Sequence, residues 1–278
     1  MISIPSTIGV DYFKGQIDFF QFQHLQVYGE DAINKAIIPI VKYNHPNDEP
    51  VVDVDWNMKL SYMMVDSVYD YIKKEELWYV PINVFTCAKQ VIRLLPDDLV
   101  VEIIDADLVH LKPYPAVYDN IDYDVILADA TYEKWHMFVS NKDSKNRNVI
   151  QHHLLHEEEG YMNGGFNIIC RVKTLKKIID DVIEYSKTIT EEQAGNEHSW
   201  WCAMYGLNIA CHNHKIKMIH TNNCYYPNIN EFKDHHYIAH YSCDPRFPKH
   251  GLYELDETKF KDNLFYNQAK KWISQQPS

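Results

Sequence analysis

The sequence predicts an α/β fold, a single domain in which a mostly parallel central sheet is wrapped by helices. Three observations carry that expectation. Short β-branched runs alternate with helical patterns of about 10–15 residues, the signature of strands joined by crossover helices. An acidic triplet, Asp105-Ala106-Asp107, begins where the apolar run Leu99–Ile104 ends, and ligands of parallel sheets bind outside the carboxyl ends of their strands. The chain has 278 residues, 46% hydrophobic and 24% charged, enough apolar surface for a large core and too much for a disordered chain.

Taken in order, Ile2–Ile4 reads as a strand that ends at Pro5 and a Ser6-Thr7 turn. Asp11 caps a helix running through Asp18 to Tyr28. Asn44–Asp55, with two prolines, is a loop. Leu60–Glu76 carries apolar positions at helical spacing, and Val84–Leu95 repeats the pattern and stops at Pro96. The strand Leu99–Ile104 is interrupted by one charge, Glu102. A second strand, Val125–Ala128, follows, and Asp129–Gly160 is a polar stretch too long for an ordinary connector. After Asn163-Gly164-Gly165 come a strand over Phe166–Cys170 and a helix from Val172 to about Ser186. A Trp-rich helix near His198–Leu207, strands near Ile216–Ile219 and Tyr237–His240, and a helix from about Asp256 to Ile273 complete the chain.

Composition narrows the function. A net charge of −12 argues against nucleic-acid backbones and acidic membranes as the main partner, although a bound divalent cation can reverse the local sign for a phosphate ligand. The six cysteines form no CxxC pair, so reduced thiols in a cytosol-like compartment are expected. With nine glycines, no GxGxxG and no Walker loop, any nucleotide phosphates must be held by metal and side chains. No apolar run reaches the ~18–20 residues of a membrane span and the first residues lack a signal pattern, so a cytoplasmic or otherwise soluble chain is expected, with room for an anchor trimmed from upstream.

Three Asp-x-Asp pairs occur, Asp53/Asp55, Asp105/Asp107 and Asp122/Asp124. The first lies beside a Pro-rich loop and the last precedes its strand. Only Asp105/Asp107 ends a continuous apolar run, which makes it the candidate site for Mg²⁺ or Mn²⁺, hard cations held by carboxylates together with substrate phosphates. Ser6 and Thr7 are candidate nucleoside contacts by position, with turn residues as the alternative. His152, His153 and His156 with Glu157–Glu159 have spacing compatible with a metal cluster, but the HExxH order is absent and a polar loop explains them equally. Trp200, Trp201 and Tyr205 suit either sugar stacking or the core, and the core is the commoner fate of aromatics at helical spacing.

The segment VVEIIDADLVHLKPYP resembles the apolar-strand-plus-DxD signature of GT-A glycosyltransferases. Further matches follow in order. FTCAKQVIRLL is similar to the helix that in many members sends a basic residue towards the nucleotide sugar, with Lys89 first and Arg93 second. MNGGFNIICR resembles the small-residue turn and strand lining the sugar site, and YIAHYSCDPRFPKHG the late element with a metal-binding His and a phosphate-binding Lys. The order PSTIGVDYFKGQ, DAD, EHSWWCAMYGLNIA and IAHYS also resembles the hydroxyproline arabinosyltransferase and peptidyl-serine galactosyltransferase group.

The resemblance implies a single GT-A, Rossmann-like domain over residues 1–278, with a nucleotide-binding half over about 1–110 and an acceptor half over about 111–278. It implies a Mn²⁺- or Mg²⁺-dependent transferase moving a sugar from a UDP-sugar donor to a glycan or protein hydroxyl. Asp105, Asp107 and His240 would hold the ion. Lys89 and Lys249 would meet phosphate, and Asn163, Gly164 and Gly165 would shape the sugar pocket. If the reaction inverts the sugar, a carboxylate base is needed; Glu197 is the first candidate and Asp129 the second. A retaining reaction needs none. A metal-dependent hydrolase or nucleotidyltransferase using the same aspartates, and an inactive carbohydrate-binding scaffold, are the alternatives.

Overall fold

Among the described residues, seven short strands, most of them rich in β-branched residues, pair into one sheet around the segment that ends in Asp105. The computed structural model describes residues 1–9, 11–42, 51–66, 83–129, 151–155, 167–193, 201–226, 231–241 and 264–275. The strands are β1 (Ile2–Ile8), β2 (Ile37–Val41), β3 (Ser61–Val65), β4 (Val100–Asp105), β6 (Val125–Asp129), β7 (Ile168–Arg171) and β8 (Lys217–Thr221). Their spatial order is β3-β2-β1-β4-β7-β6-β8. All neighbours run parallel except β7, which is antiparallel to both β4 and β6. A three-stranded sheet stands beside this one, with β5 (Leu108–His110), β10 (Ile238–His240) and β9 (Cys224–Tyr225) in the order β5-β10-β9.

Among the described residues, five α-helices flank the strands: α1 (Asp11–Tyr28), α2 (Asn83–Ile92), α3 (Val172–Glu192), α4 (Cys202–Asn213) and α5 (Leu264–Ile273). Successive side chains of a strand point to opposite faces. Ser3 meets Glu102, in the network that includes His24 of α1, whereas Ser6 donates to the Val84 carbonyl of α2. Thus α1 and α2 cover opposite faces of β1. On the α1 side, Phe19 packs against Phe265 and Trp272 of α5, with ring centroids 6.2 and 5.1 Å apart. No described helix is long and apolar enough to cross a membrane.

Several sequence expectations are corrected here. Strand β1 continues through Pro5 to Ile8, because losing one N–H donor does not outweigh pairing on both sides with β2 and β4. Within Leu60–Glu76, residues Ser61–Val65 form β3 and pair in parallel with β2, and residues 67–82 lie outside the described set. A short segment with four consecutive apolar residues fits either period, and pairing with β2 decides between them. The sequence reading contains no strand over Ile37–Val41, where Pro39 masks an otherwise β-branched run. The helix after β7 runs to Glu192 instead of Ser186, and the Trp-rich helix begins at Cys202.

α4 is buried from Cys202 to Cys211, which places Tyr205 in the core. Its close approach to α3 needs Gly206: a Cβ there would meet the Ser186 Oγ at 2.1 Å, the Val182 carbonyl oxygen at 2.5 Å and the Ser186 nitrogen at 2.8 Å. Two of these neighbours are backbone atoms and cannot move aside cheaply. Gly206→Ala should therefore lower the unfolding free energy by about 1–3 kcal/mol through overpacking, despite alanine's better helix propensity. Urea denaturation of the two proteins measures it.

Candidate metal centre

The parallel order reverses direction at β1: the chain builds outward through β2 and β3, then returns to add β4 on the other side. A crevice at such a switch point is where doubly wound sheets bind ligands. Ser6 of β1 lies in register with Asp105 of β4 at this point.

Beyond Asp105 the chain turns through Ala106 and Asp107 and leaves the large sheet as β5. β10 pairs antiparallel with β5, setting His240 opposite Leu108, and the Tyr241 N–H donates to the Asp107 carbonyl at 3.3 Å. The Tyr241 ring is wedged against Phe19 at 5.6 Å and Phe265 at 6.2 Å, which anchors this strand end on α1 and α5. The result is a His240 Nε2 to Asp107 Oδ1 distance of 3.2 Å between two buried side chains. One ligand atom from each of Asp105, Asp107 and His240 lies within 4.8 Å of the others. Adjacent ligands at about 2.1 Å from an octahedral ion sit about 3.0 Å apart, close to the Asp107–His240 separation, so these three residues could hold one divalent cation. The other two Asp-x-Asp pairs are exposed; Asp53 accepts from the Tyr62 hydroxyl at 3.0 Å, and Asp124 pairs with Lys177 at 3.5 Å.

A buried polar network fixes the turn. The Glu102 carboxylate accepts from Ser3 Oγ at 2.7 Å and Tyr114 Oη at 2.7 Å, and pairs with His110 Nε2 at 2.8 Å. Burial alone would raise its pKa, but the facing His110 and these hydrogen bonds hold it below the ordinary carboxylate value. His110 Nδ1 meets His24 Nδ1 at 3.3 Å. Burial, reinforced by His110, pushes the His24 pKa down to about 2. Tyr114 Oη also accepts from Asn167 and Asn223 at 3.3 Å, and Asn167 donates to Asn223 Oδ1 at 3.0 Å. Asn167 has φ 76°, a left-handed conformation that asparagine tolerates better than most residues.

Asp129, at the carboxyl end of β6, is fully buried and accepts from the Tyr226 hydroxyl at 3.0 Å. The Tyr226 ring packs 5.2 Å from the His240 ring, so a single side chain links Asp129 to the metal-candidate histidine. Ser6 and Thr7 are buried at the carboxyl end of β1. Thr7 Oγ1 and, at the start of α2, Asn83 Oδ1 are buried with no hydrogen-bond partner among the described residues. Buried polar atoms normally find one.

The Lys89 ammonium pairs with Asp180 of α3 at 2.5 Å. Arg93 is exposed beyond the end of α2. Glu197, Asn163, Gly164, Gly165 and Lys249 lie outside the described residues, as do Trp200, His156 and Glu157–Glu159. Glu102, His110, Tyr114, Asn167, Asn223 and Tyr226 were not singled out from the sequence. The only signal for any of them was a charge interrupting an apolar strand. Cys87, Cys170 and Cys211 are free and buried, and burial pushes the Cys87 and Cys170 thiols up to about 12, too high for nucleophilic thiolates.

The sequence matches none of the protein-family models and none of the curated proteins with which it was compared.

The network makes stability pH-dependent. As pH falls below the ordinary histidine value of 6.5, the unfolded chain takes up a proton that folded His24 refuses until about pH 2. Stability contributed by His24 is therefore complete above about 6.5 and declines by about 1.4 kcal/mol per pH unit below it. His236, pushed down to about 4 mainly by burial, adds a second such contribution over a narrower window. Denaturation between pH 7 and 5 should show this loss, and His24→Gln should flatten it.

Proposed function

We propose that the chain is a divalent-metal-dependent glycosyltransferase of the GT-A type that uses a nucleotide-sugar donor, with a UDP-sugar as the best candidate. The observation that carries this reading is the approach of His240, from late in the chain, to within 3.2 Å of Asp107 at the switch point of a parallel sheet. Two carboxylates and an imidazole are a donor set for one Mn²⁺ or Mg²⁺. Bound there, the ion would supply Lewis-acid charge to a diphosphate leaving group.

In this reading Asp105, Asp107 and His240 hold the ion, and the β5–β10 pairing fixes their geometry before substrate arrives. Thr7 Oγ1 and Asn83 Oδ1, lacking described partners, are available to a nucleoside beside Ser6. Asp129 orients or deprotonates the acceptor hydroxyl, with Tyr226 holding its carboxylate. Glu197 and Lys249 keep their proposed roles as base and phosphate contact, and so do Asn163, Gly164 and Gly165 as the sugar-pocket turn. Lys89 keeps its proposed role as a phosphate contact, for which its ammonium would leave Asp180.

UDP should raise the melting temperature only when Mn²⁺ is present. At a ligand concentration 100 times Kd the gain is about 2.7 kcal/mol. Asp107→Ala should abolish the Mn²⁺-dependent part, as should His240→Ala. A UDP response indifferent to both Mn²⁺ and Asp107→Ala would sink the assignment. Release of sugar 1-phosphate would favour the hydrolase alternative.

Asp129→Asn keeps the bond from the Tyr226 hydroxyl while removing the base. If Asp129 accepts the hydroxyl proton, transfer should slow about 10²–10⁴-fold with UDP binding unchanged. Unaltered turnover in a donor-plus-acceptor assay would assign the base elsewhere.

A further inference from the structure

We propose a second metal site, away from the switch point, in which His152, His153 and Glu192 bind Zn²⁺ or a similar borderline transition dication and clip the 151–155 segment onto α3 and α4. The short turn Gln151–His153 brings two consecutive histidines to the last residue of α3. The Nε2 atoms of His152 and His153 lie 3.3 and 3.1 Å from the same Glu192 oxygen, Oε2. All three ligand atoms fall within 4.8 Å of one another. For bonds of about 2.0–2.1 Å, the edge of a tetrahedron around Zn²⁺ is about 3.3 Å. The two histidine-to-carboxylate separations match that edge.

The ligands are already positioned. Asn213, at the end of α4, donates to the His153 carbonyl at 3.1 Å and accepts from the Leu155 N–H at 3.0 Å. It also donates to the Tyr185 hydroxyl of α3 at 2.8 Å, and the Tyr185 ring lies 6.1 Å from that of His153. One asparagine thus ties the histidine turn to both helices, so little ordering remains to oppose binding.

Electrostatics favour a cation. Glu192 ends α3, where the exposed carbonyls carry the negative end of the helix dipole, and the last turn contains no lysine or arginine. The two imidazole centroids lie 3.9 Å apart, so both rings reach the same carboxylate oxygen. His152 is 56% exposed, leaving a fourth position open to water. Two nitrogens and one oxygen suit Zn²⁺, whereas the oxygen-rich Asp105/Asp107 set suits Mg²⁺ or Mn²⁺, so ligand chemistry sorts the two ions between the two places.

The test titrates the chelator-stripped full-length chain with Zn²⁺ by calorimetry, and with Co²⁺ to read ligand-field bands. Hydrogen exchange of residues 151–155 is followed alongside. The wild type should take up Zn²⁺ with slower exchange in that segment. His153→Ala and Glu192→Gln should each weaken binding about tenfold or more. Asp105→Asn should leave it unchanged, which separates this site from the one proposed for nucleotide-sugar chemistry. His152→Ala alters only an exposed side chain and should weaken binding with the metal-free melting temperature unchanged. The proposal is overturned if the wild type binds no Zn²⁺. It is equally overturned if affinity is undiminished in His153→Ala and Glu192→Gln, or if uptake is lost in Asp105→Asn alone.

Discussion

A carboxylate sealed inside an apolar strand constrains everything around it. Glu102 has no access to water, so its charge must be met by Ser3 of β1, His110 of β5 and the hydroxyl of Tyr114. Removing one partner of such a pair typically costs about 3–5 kcal/mol, because the remaining charge is left unsolvated. That penalty fixes which residue of β5 faces β4, and with it the turn that carries Asp105 and Asp107. Through Tyr114 the constraint continues to Asn167 and Asn223, so the chain entering β7 and the chain leaving β8 answer to the same charge.

The switch point and the small sheet divide the labour. Parallel pairing of β1 with β4 brings Ser6 level with Asp105 at the carboxyl ends of the two strands. The small sheet then returns a distant part of the chain to this spot, since β10 has no neighbour in the large sheet and pairs with β5 instead. Aromatic packing of Tyr241 on Phe19 and Phe265 holds that return in place. Asp107 and His240 thus come from two separate strand ends, each with its own core contacts.

Much of this was legible beforehand, for reasons particular to each segment. Val100–Asp105 declared itself because five successive buried positions leave an uninterrupted β-branched run apart from Glu102. The helices Asp11–Tyr28 and Asn83–Ile92 followed from a capping acid or a terminating proline. Ser61–Val65 fits either period because its four consecutive apolar residues, Tyr62 to Val65, satisfy both at once, and Ile37–Val41 is masked because Pro39 sits where a strand ordinarily has none. The pairing of Lys89 with Asp180 was not legible, because a basic residue on a helix carries no mark of the carboxylate it will meet.

By itself the sequence determined the alternation of strands and helices and the acidic tip at the end of a buried strand. Both follow from burial patterns that repeat over a few residues. Only the tertiary structure decided that His240 stands beside Asp107, that Asp129 reaches His240 through Tyr226, and that two adjacent histidines share Glu192. Those contacts join residues from separate strands, helices and turns, and strand pairing, not local propensity, sets which of them meet.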